Sequence, residues 1–251
     1  MTREQFKRMR LDQALVVRRL APTRSRARDM IARGCVTVDG AIIRKSGHSI
    51  FEHAAIGVAD TANPYVSRGG LKLAAALAAF GFNPEGRTVL DVGASTGGFT
   101  DVLLKAGASR VYAVDVGRDQ LHPTLKADPR VVSLESTDAR TLSREHIPEV
   151  IHAVVADVSF ISVTKVLPVA LSFAVAGAWL VVLVKPQFEA GRRAVGKGGI
   201  VRDSAVREQA VAETRAWIAA QPGWSVVGAI PSPVAGASGN EEFLIGAVRN
   251  G

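Results

Sequence analysis

Four charged residues lie far apart in the sequence, yet each falls where a strand or helix of an α/β sheet is predicted to begin or end. They are Lys72, Asp157, Lys185 and Glu242. Charged side chains at the carboxyl edge of a parallel sheet face the crevice where such sheets bind ligands. Lysines and carboxylates can orient one another there and move a proton. Any one of the four is more typical of a structural charge, but together they are a candidate catalytic set.

A glycine-rich segment, D-V-G-A-S-T-G-G-F-T-D over residues 91–101, is the second feature suited to chemistry. It follows a β-branched run and precedes a predicted helix, an order that forms a cradle for a nucleotide-like ligand, and its glycines let the ligand approach the backbone. Asp91 repels a pyrophosphate and can lie near a cation, which favours S-adenosylmethionine over a dinucleotide. The segment lacks both the G-x-G-x-x-G fingerprint and the Gly-Lys-Ser/Thr of phosphate-binding loops.

Two further acids follow the next predicted strands. Asp115 ends the second strand, where a carboxylate can accept the two ribose hydroxyls of an adenosine. Asp138 follows the third strand and can reach an adenine amine, and capping of a helix or loop is an equal alternative for it.

Basic residues are concentrated at the N-terminus. The 251-residue chain has a net charge of +8; residues 1–50 hold twelve Lys and Arg against four Asp and Glu, and the remaining residues hold nineteen of each. This asymmetry predicts a polyanion-binding module joined to a neutral body, with a solvated basic face as the alternative. One cysteine and the lack of an apolar leader predict a reducing, cytoplasmic setting without disulfides or a metal site.

Residues 10–50 predict a compact α+β module. An amphipathic helix is followed by an arginine-rich helix with a cap at Thr23 or Ser25, and V-T-V-D-G-A-I-I is a strong hairpin signal. With its R-L-D-x-x-L opening and R-G-x-V-x-V-D-G close, the module resembles the small RNA-binding domain named after ribosomal protein S4. The resemblance implies that its arginines contact structured RNA, namely Arg10, Arg18, Arg19, Arg24, Arg26, Arg28 and Arg33.

Nineteen consecutive uncharged residues lie between Lys165 and Lys185, and a membrane span needs about 20. Proline, serine and glycine interrupt this run. Residues 163–175 suit a helix, and the β-branched stretch 179–184 is typical of a buried parallel strand. We therefore expect a helix and a core strand rather than a membrane span.

Strands and helices alternate from residue 65 onward, which predicts a mostly parallel sheet covered on both faces. Seven strands ending in a C-terminal pair are the pattern of the Rossmann-like fold of adenosylmethionine-dependent methyltransferases. The predicted fold class is thus α/β, with a small N-terminal α+β domain. The predicted division is 1–60 for the S4-like RNA-binding domain, 61–64 for a linker and 65–251 for the methyltransferase domain.

Six motifs in order resemble the hemolysin A (TlyA) family of ribosomal RNA 2′-O-methyltransferases. They are R-L-D-Q-A-L, S-R-G-G-L-K-L, D-V-G-A-S-T-G-G-F-T-D, A-D-V-S-F-I-S, V-K-P-Q-F-E and G-N-E-E-F-L. The resemblance covers nearly the whole chain, and the catalytic half is similar to FtsJ/RrmJ-type enzymes. It implies methyl transfer from S-adenosylmethionine to a ribose 2′-hydroxyl of ribosomal RNA, with a cytidine as the nucleotide and ribosomal subunits as partners.

The resemblance also assigns residues. The Lys-Asp-Lys-Glu tetrad of those enzymes carries over to Lys72, Asp157, Lys185 and Glu242, and the pattern G-N-x-E selects Glu242 over Glu241. The implied cofactor contacts are Asp91, Gly93, Ala94, Ser95, Gly97, Gly98, Phe99, Asp115, Asp138 and Asp157.

The implied reaction is an in-line displacement in which the hydroxyl attacks the sulfonium methyl. Lys185 is the expected base, a role that requires a neutral amine, favoured by burial or by the nearby Lys72. Asp157 and Glu242 are expected to orient the two amines.

Three other functions compete with methyl transfer. They are a non-catalytic RNA-binding or ribosome-assembly factor, a membrane-active hemolysin, and a pseudouridine synthase with the same N-terminal module. The intact tetrad argues against a non-catalytic factor. The lack of a convincing membrane span argues against a hemolysin, and a pseudouridine synthase has no need of the glycine-rich segment.

Overall fold

The computed structural model describes residues 8–21, 23–32, 34–58, 63–191, 194–196, 198–236 and 239–251. Contacts between residues divide the chain into two compact units, Met1–Pro64 and Tyr65–Gly251.

The described residues of the first unit form two helices and five short strands. They are β1 (Arg8–Arg10), α1 (Leu11–Val17), α2 (Arg24–Ala32), β2 (Val36–Val38), β3 (Ala41–Ile42), β4 (Ser49–Phe51) and β5 (Ile56–Val58). β1 pairs with β4, and the other three strands form a sheet in the order β3-β2-β5. A small core between these elements includes Leu11, Leu15 and Ile31, which are fully buried.

Local sequence signals explain the turns of this unit. The hydroxyl of Thr23 accepts the N–H of Arg26 at 3.2 Å, so Thr23 caps α2. Asp39 and Gly40 both have positive φ, at 49° and 84°, as a two-residue hairpin turn requires. The predicted hairpin is therefore confirmed, whereas the pairing of β1 with β4 was not predicted.

The second unit alternates strands and helices. Its elements are α3 (Gly69–Phe80), β6 (Thr88–Val92), α4 (Gly98–Lys105), β7 (Arg110–Val114), α5 (Pro123–Lys126), β8 (Val131–Leu134), a 3-10 turn (Ala139–Thr141), β9 (Ile151–Ala156), α6 (Val163–Ser172), β10 (Ala174–Val184), α7 (Pro186–Glu189), α8 (Ser204–Ala219), β11 (Trp224–Pro231) and β12 (Phe243–Arg249).

Seven strands form one sheet in the order β11-β12-β10-β9-β6-β7-β8. The five strands from β10 to β8 are parallel, and β12 runs antiparallel to both of its neighbours. The order reverses between β6 and β9, and a reversal of this kind opens a crevice at the carboxyl ends of the strands. The predicted seven-stranded α/β fold is confirmed.

Hydrophobic cores cover both faces of this sheet. Leu90 and Leu180 belong to the core under α6 and α8, and the alternate residues Val89 and Val181 belong to the core under α3 and α4. Strands buried on both faces account for the near-continuous apolar runs in the sequence.

The uncharged run after Lys165 forms α6 and β10. The strand begins at Ala174 rather than at the start of the predicted stretch 179–184, because Ala174 pairs with Ile151 before a register shift ahead of Trp179. Gly177, with φ of 77°, lies within the shift, as expected at a bulge. Among the described residues, no helix is long and apolar enough to cross a membrane.

Candidate active site

The loop between β6 and α4 contains residues with positive φ. Gly93 and Gly97 have φ of 83° and 91°, and Gly97 caps the N-terminus of α4. A Cβ on Gly93 would lie 2.5 Å from the carbonyl oxygen of Asp157, and one on Gly97 would lie 2.3 Å from Cδ1 of Leu125. These contacts explain both glycines without the close approach of a ligand that the sequence pattern suggested.

Asp91, in β6, is fully buried. Its Oδ2 accepts the hydroxyl of Thr100 at 2.6 Å, and its Oδ1 has no hydrogen-bond partner in the described part of the chain. Burial raises the pKa of the Asp91 carboxyl to about 7; the Thr100 bond opposes this rise, and the Asp157 and Asp115 carboxylates add to it. A buried carboxyl group of this kind is stabilised in its charged form by a nearby cation. It therefore fits a ligand that carries an ammonium and a sulfonium.

Asp115 follows β7 and joins two loops. Its Oδ2 accepts the N–H of Ser95 at 2.8 Å, and its Oδ1 accepts the N–H of Gly117 at 2.7 Å. The Ser95 hydroxyl also donates to Oε1 of Gln120 at 3.2 Å. A carboxylate has about four acceptor positions, so Asp115 keeps capacity for the ribose hydroxyls predicted for it.

Asp138 caps the 3-10 turn that follows it. It accepts the N–H of Arg140 at 2.9 Å and holds the Arg140 guanidinium in a forked ion pair, with Nη2 at 2.6 Å. These bonds hold the pKa of the Asp138 carboxyl below its usual range. The capping alternative is therefore realised, and contact with an adenine amine stays a prediction.

The remaining predicted cofactor residues in the loop are Ala94, Gly98 and Phe99, and all three are buried. The Phe99 side chain belongs to the core under α3 and α4. A Cβ on Gly98 would lie 2.2 Å from Oγ of Ser67. Their predicted part in binding therefore depends on backbone N–H groups at the start of α4.

The strand register brings three of the four candidate catalytic residues to one edge of the sheet. Val184 pairs with Phe243, so Lys185 and Glu242 extend from neighbouring positions of β10 and β12. β9 lies on the other side of β10, and Asp157 follows its last residue. The fourth residue reaches this edge from α3.

The four side chains form two ion pairs. Nζ of Lys185 lies 2.6 Å from Oδ1 of Asp157 and donates to Oγ of Ser159 at 2.8 Å. Nζ of Lys72 donates to Oε2 of Glu242. Both lysines and Glu242 are buried, and buried charges persist only when they are paired. The Lys185 pair lies beside Gly93, because the carbonyl of Asp157 is the group that a Cβ on Gly93 would meet.

The structure separates Glu242 from its neighbour Glu241. Glu242 faces Lys72 with 3% of its side chain exposed, whereas the Glu241 side chain is 66% exposed and pairs with Nε of Arg207 at 3.1 Å. The geometry therefore favours Glu242 as the partner of the buried lysine.

Phe160, which was not predicted as a site residue, follows the Ser159 that Lys185 contacts. It has φ of 67° and is 90% exposed. Its ring centroid lies 5.1 Å from that of Phe188. A bulky residue in the left-handed region is strained, and such strain clusters at functional sites. In the sequence Phe160 lies between Ser159 and Ile161, so its immediate neighbours give no clear signal of exposure.

Glu189, at the end of α7, was also missed. Its Oε2 accepts the hydroxyl of Ser162 at 2.6 Å, and its Oε1 accepts the N–H of Val163 at 3.0 Å. Burial raises the pKa of the Glu189 carboxyl, and these two bonds oppose the rise. Glu189 therefore ties the segment after Lys185 to the start of α6.

Three predicted RNA-binding arginines converge on one carboxylate. Arg10, Arg24 and Arg28 all bond to Asp12 at 2.9–3.1 Å. Asp12 is fully buried, and no role was predicted for it.

The other predicted arginines have different surroundings. Arg18 donates to the carbonyls of Ala54, at 2.6 Å, and Glu52. Arg19 is exposed with φ of 58°, and Arg26 donates to the carbonyl of Asn63 at 3.4 Å. Arg33 lies outside the described residues.

No group of three or more potential ligands among the described His, Cys, Asp and Glu residues is arranged to hold a metal ion.

Comparisons with known proteins agree with this arrangement. Residues 65–249 match the family model described as FtsJ-like methyltransferase, and residues 9–50 match the S4 domain. The chain is 46% identical to the 16S/23S rRNA (cytidine-2′-O)-methyltransferase TlyA of Mycobacterium tuberculosis, over 95% of this chain and 89% of that protein. It is 43% identical to hemolysin A of Brachyspira hyodysenteriae, over 94% and 98% of the two chains.

A solved structure is also similar over nearly the full length. It is described as a hemolysin from Streptococcus thermophilus, with 40% identity, a TM-score of 0.76 and coverage of 98% of this chain and 90% of that chain. The chain therefore belongs to the FtsJ-like methyltransferase family and, within it, to the group of proteins named TlyA and hemolysin A.

Proposed function

We propose that this protein transfers a methyl group from S-adenosylmethionine to the 2′-hydroxyl of a cytidine ribose in ribosomal RNA. The observation that carries the proposal is the Lys185–Asp157 pair, which lies beside the glycine-rich loop at the carboxyl edge of the sheet. The name of the Mycobacterium tuberculosis relative supports the choice of ribosomal RNA and of cytidine.

S-adenosylmethionine supplies an electrophilic methyl group on a positively charged sulfur. Asp91 and Asp157 would provide the negative charge that favours this cation, and Asp115 would accept the ribose hydroxyls. The backbone of residues 93–99 would line the same pocket, with Asp138 near the adenine. The raised pKa of the Asp91 carboxyl supports this assignment, because the group is buried and no lysine or arginine of the described residues forms an ion pair with it.

With its amine neutral, Lys185 would take the proton of the attacking 2′-hydroxyl as the new oxygen–methyl bond forms. The ammonium that pairs with Asp157 is the form that this transfer leaves, so Lys185 would have to release a proton to solvent before each turnover. Its amine is held by Asp157 and by Ser159, two contacts that fix its position at the strand end. The Lys72–Glu242 pair would hold the hydroxyl side of the pocket, and exclusion of water would strengthen both ion pairs. The methyl–sulfur bond breaks as the proton leaves, so the positive charge of the sulfonium ends on the Lys185 ammonium, beside Asp157.

Phe160 would stack on the target base. Ribose atoms of a nucleotide stacked in a duplex are hard to reach, so RNA-modifying sites hold an unstacked base against an aromatic side chain. The 90% exposed ring beside Ser159 supports this role.

The unit at residues 1–60 would bind ribosomal RNA through Arg10, Arg18, Arg19, Arg24, Arg26, Arg28 and Arg33. Residues 61–64 would link it to the catalytic unit at 65–251. We further propose ribosomal subunits as partners and the cytoplasm as the site of action, because that compartment holds the substrate proposed here.

A transfer assay tests the proposal. Purified protein would be incubated with methyl-labelled S-adenosylmethionine and ribosomal subunits from cells that lack it, and the labelled nucleoside identified by mass spectrometry. We expect 2′-O-methylcytidine. Label on a base, or no label on either subunit, would contradict the proposal.

A further inference from the structure

Asp12, in the first turn of α1, is the hub of the basic N-terminal unit. It is fully buried, and four N–H groups point at its two oxygens. Arg10 donates from Nε to Oδ1 at 2.9 Å and from Nη2 to Oδ2 at 3.2 Å. Arg24 and Arg28 each donate to Oδ2 at 3.1 Å. Three of the four donors therefore share Oδ2, and one contacts Oδ1.

The three arginines that contact Asp12 lie on two different elements, β1 and α2. Arg10 is the last residue of β1 and pairs with Ser49 of the antiparallel strand β4. Arg24 and Arg28 lie four residues apart on α2, a spacing that puts both on one helix face. The backbone N–H of Asp12 bonds to the carbonyl of Ser46 at 3.1 Å, which fixes the hub itself.

Burial and exposure differ sharply within the cluster. The Asp12 side chain is 0% exposed, whereas those of Arg10, Arg24 and Arg28 are 47%, 47% and 54% exposed. The hydrogen bonds from Arg10 hold the pKa of the Asp12 carboxyl well below its usual range, and those from Arg28 and Arg24 lower it further. Asp12 is therefore ionised at neutral pH, and the cluster keeps two excess positive charges.

We propose that Arg10, Arg24 and Arg28 form one preorganised site for a backbone phosphate of RNA, and that Asp12 is the positioning residue that builds it. The site deepens the proposed function, because it rests on the proposal that this unit binds ribosomal RNA. Guanidinium groups present planar, forked donors that match phosphate oxygens. A group that holds such forks in place before binding lowers the entropy lost on binding.

In this arrangement, removal of a negative charge is expected to weaken the binding of RNA rather than to strengthen it. Removal of a carboxylate normally strengthens binding of a polyanion, because phosphate contacts and counterion release dominate affinity. Loss of Asp12 instead releases three arginines that then repel one another. The net charge of the protein rises, and its affinity for RNA falls.

Asp12→Asn and Asp39→Asn form a matched pair in the full-length protein, because each removes one negative charge from the same unit. Asp39 is exposed in the hairpin turn and accepts the N–H of Ala55 at 2.9 Å. Asparagine keeps an acceptor oxygen there and tolerates a positive φ. Binding would be measured with ribosomal subunits from cells that lack the protein, at several salt concentrations, beside thermal unfolding of each variant.

We expect D12N to weaken binding about tenfold, as for the loss of one charge-assisted contact, and D39N to leave it unchanged or tighter. A folded D12N that binds as tightly as D39N would overturn the inference. If D12N does not fold, the double variant Arg24→Lys and Arg28→Lys decides, because it keeps the charge and loses the forks. Affinity equal to wild type in that variant would overturn the inference equally.

The outcome for the wild type separates this inference from the proposed function. If the wild type does not bind ribosomal subunits, the proposed substrate is wrong. If the wild type binds them and D12N binds equally well, the proposed substrate stands and only the role of Asp12 is wrong.

Discussion

Glu189 accepts the hydroxyl of Ser162 at 2.6 Å, and this bond joins the segment after Lys185 to the segment after Asp157. The N–H of Val163 strengthens the same connection at 3.0 Å. Glu189 ends the four-residue helix α7, which begins directly after Lys185. We therefore expect the position of the lysine amine to depend on this bond.

We predict that Glu189→Ala lowers kcat by roughly tenfold to a hundredfold, since small displacements of a catalytic group have effects of that size. The Kd for S-adenosylmethionine should not change. Glu189→Gln keeps one acceptor oxygen and should recover part of kcat. Single-turnover methyl transfer and calorimetry check these values, and a change in KM alone would argue for a purely structural role.

Asp91 should make folding stability depend on pH. Because its folded-state pKa of about 7 lies above the usual value near 3.8, the folded protein holds this proton more tightly than the unfolded chain does. Stability from this group is therefore complete below about pH 4 and is lost as the pH rises to about 7. This decrease in the free energy of unfolding should be on the order of 2–4 kcal/mol, and it should be absent in Asp91→Asn. Urea unfolding at about pH 4 and about pH 7 would measure it in both proteins.

The same carboxyl should couple proton release to cofactor binding. The Asp91 anion favours a cation nearby, so affinity for S-adenosylmethionine should rise between about pH 5.5 and about pH 7, below the range in which an α-amino group titrates. Asp91→Asn should bind more weakly and without this pH dependence. Calorimetry in buffers of different ionisation enthalpy would detect the proton, and an equal pH dependence in both proteins would count against the assignment.

Phe160 should matter for RNA and not for the cofactor. Base–aromatic stacking contributes about 1–3 kcal/mol, so Phe160→Ala should lower kcat/KM for ribosomal subunits by roughly fivefold to a hundredfold. Phe160→Trp should restore most of it, because the indole also stacks.

Phe160→Gly gives an independent measure of strain. Its backbone adopts positive φ without cost, so this variant should unfold at a higher temperature than Phe160→Ala while methylating as poorly. A fall in cofactor affinity in any of these variants would contradict the stacking role.

Glu242 and Glu241 form a built-in comparison. Glu242→Ala leaves Lys72 buried without its partner, which should cost about 3–5 kcal/mol of stability and abolish activity. Glu241→Ala removes a surface pair with Arg207 and should cost less than about 1 kcal/mol. Thermal unfolding and methyl transfer measured side by side check this difference, and a loss of activity in E241A would reverse the assignment.

Most of the fold can be predicted from local sequence patterns. The apolar run at 179–184 is too uniform for an exposed strand, and Asp39-Gly40 is typical of a tight hairpin turn. The edge positions of Asp157, Lys185 and Glu242 follow once the strand ends are known. The start of β10 was not predicted, because Gly177 was interpreted as an interruption of the uncharged run, whereas it lies in a bulge inside the strand.

The pairing of side chains was harder to predict than their positions. Lys72 contacts Glu242 across 170 residues, and such a contact depends on how α3 packs on the sheet. Asp12 and Glu189 lie inside quoted motifs, but their roles depend on arginines and backbone groups that only the tertiary structure brings near. Phe160 was overlooked because an aromatic residue beside an apolar one, here Ile161, usually indicates core.

Lys185 provides the most direct test of the central claim that this site transfers a methyl group to RNA. Lys185→Ala would be compared with Lys165→Ala, which removes the same charge from an exposed position on α6. Each protein would be assayed for transfer of labelled methyl to ribosomal subunits, and its affinity for S-adenosylmethionine measured in parallel.

We predict that K185A loses methyl transfer by at least about a hundredfold, the usual contribution of a general base, while it still binds S-adenosylmethionine. K165A should match the wild type in both measurements. Near-normal turnover in K185A would contradict the assignment of Lys185 as the base and, with it, the mechanism proposed for this site.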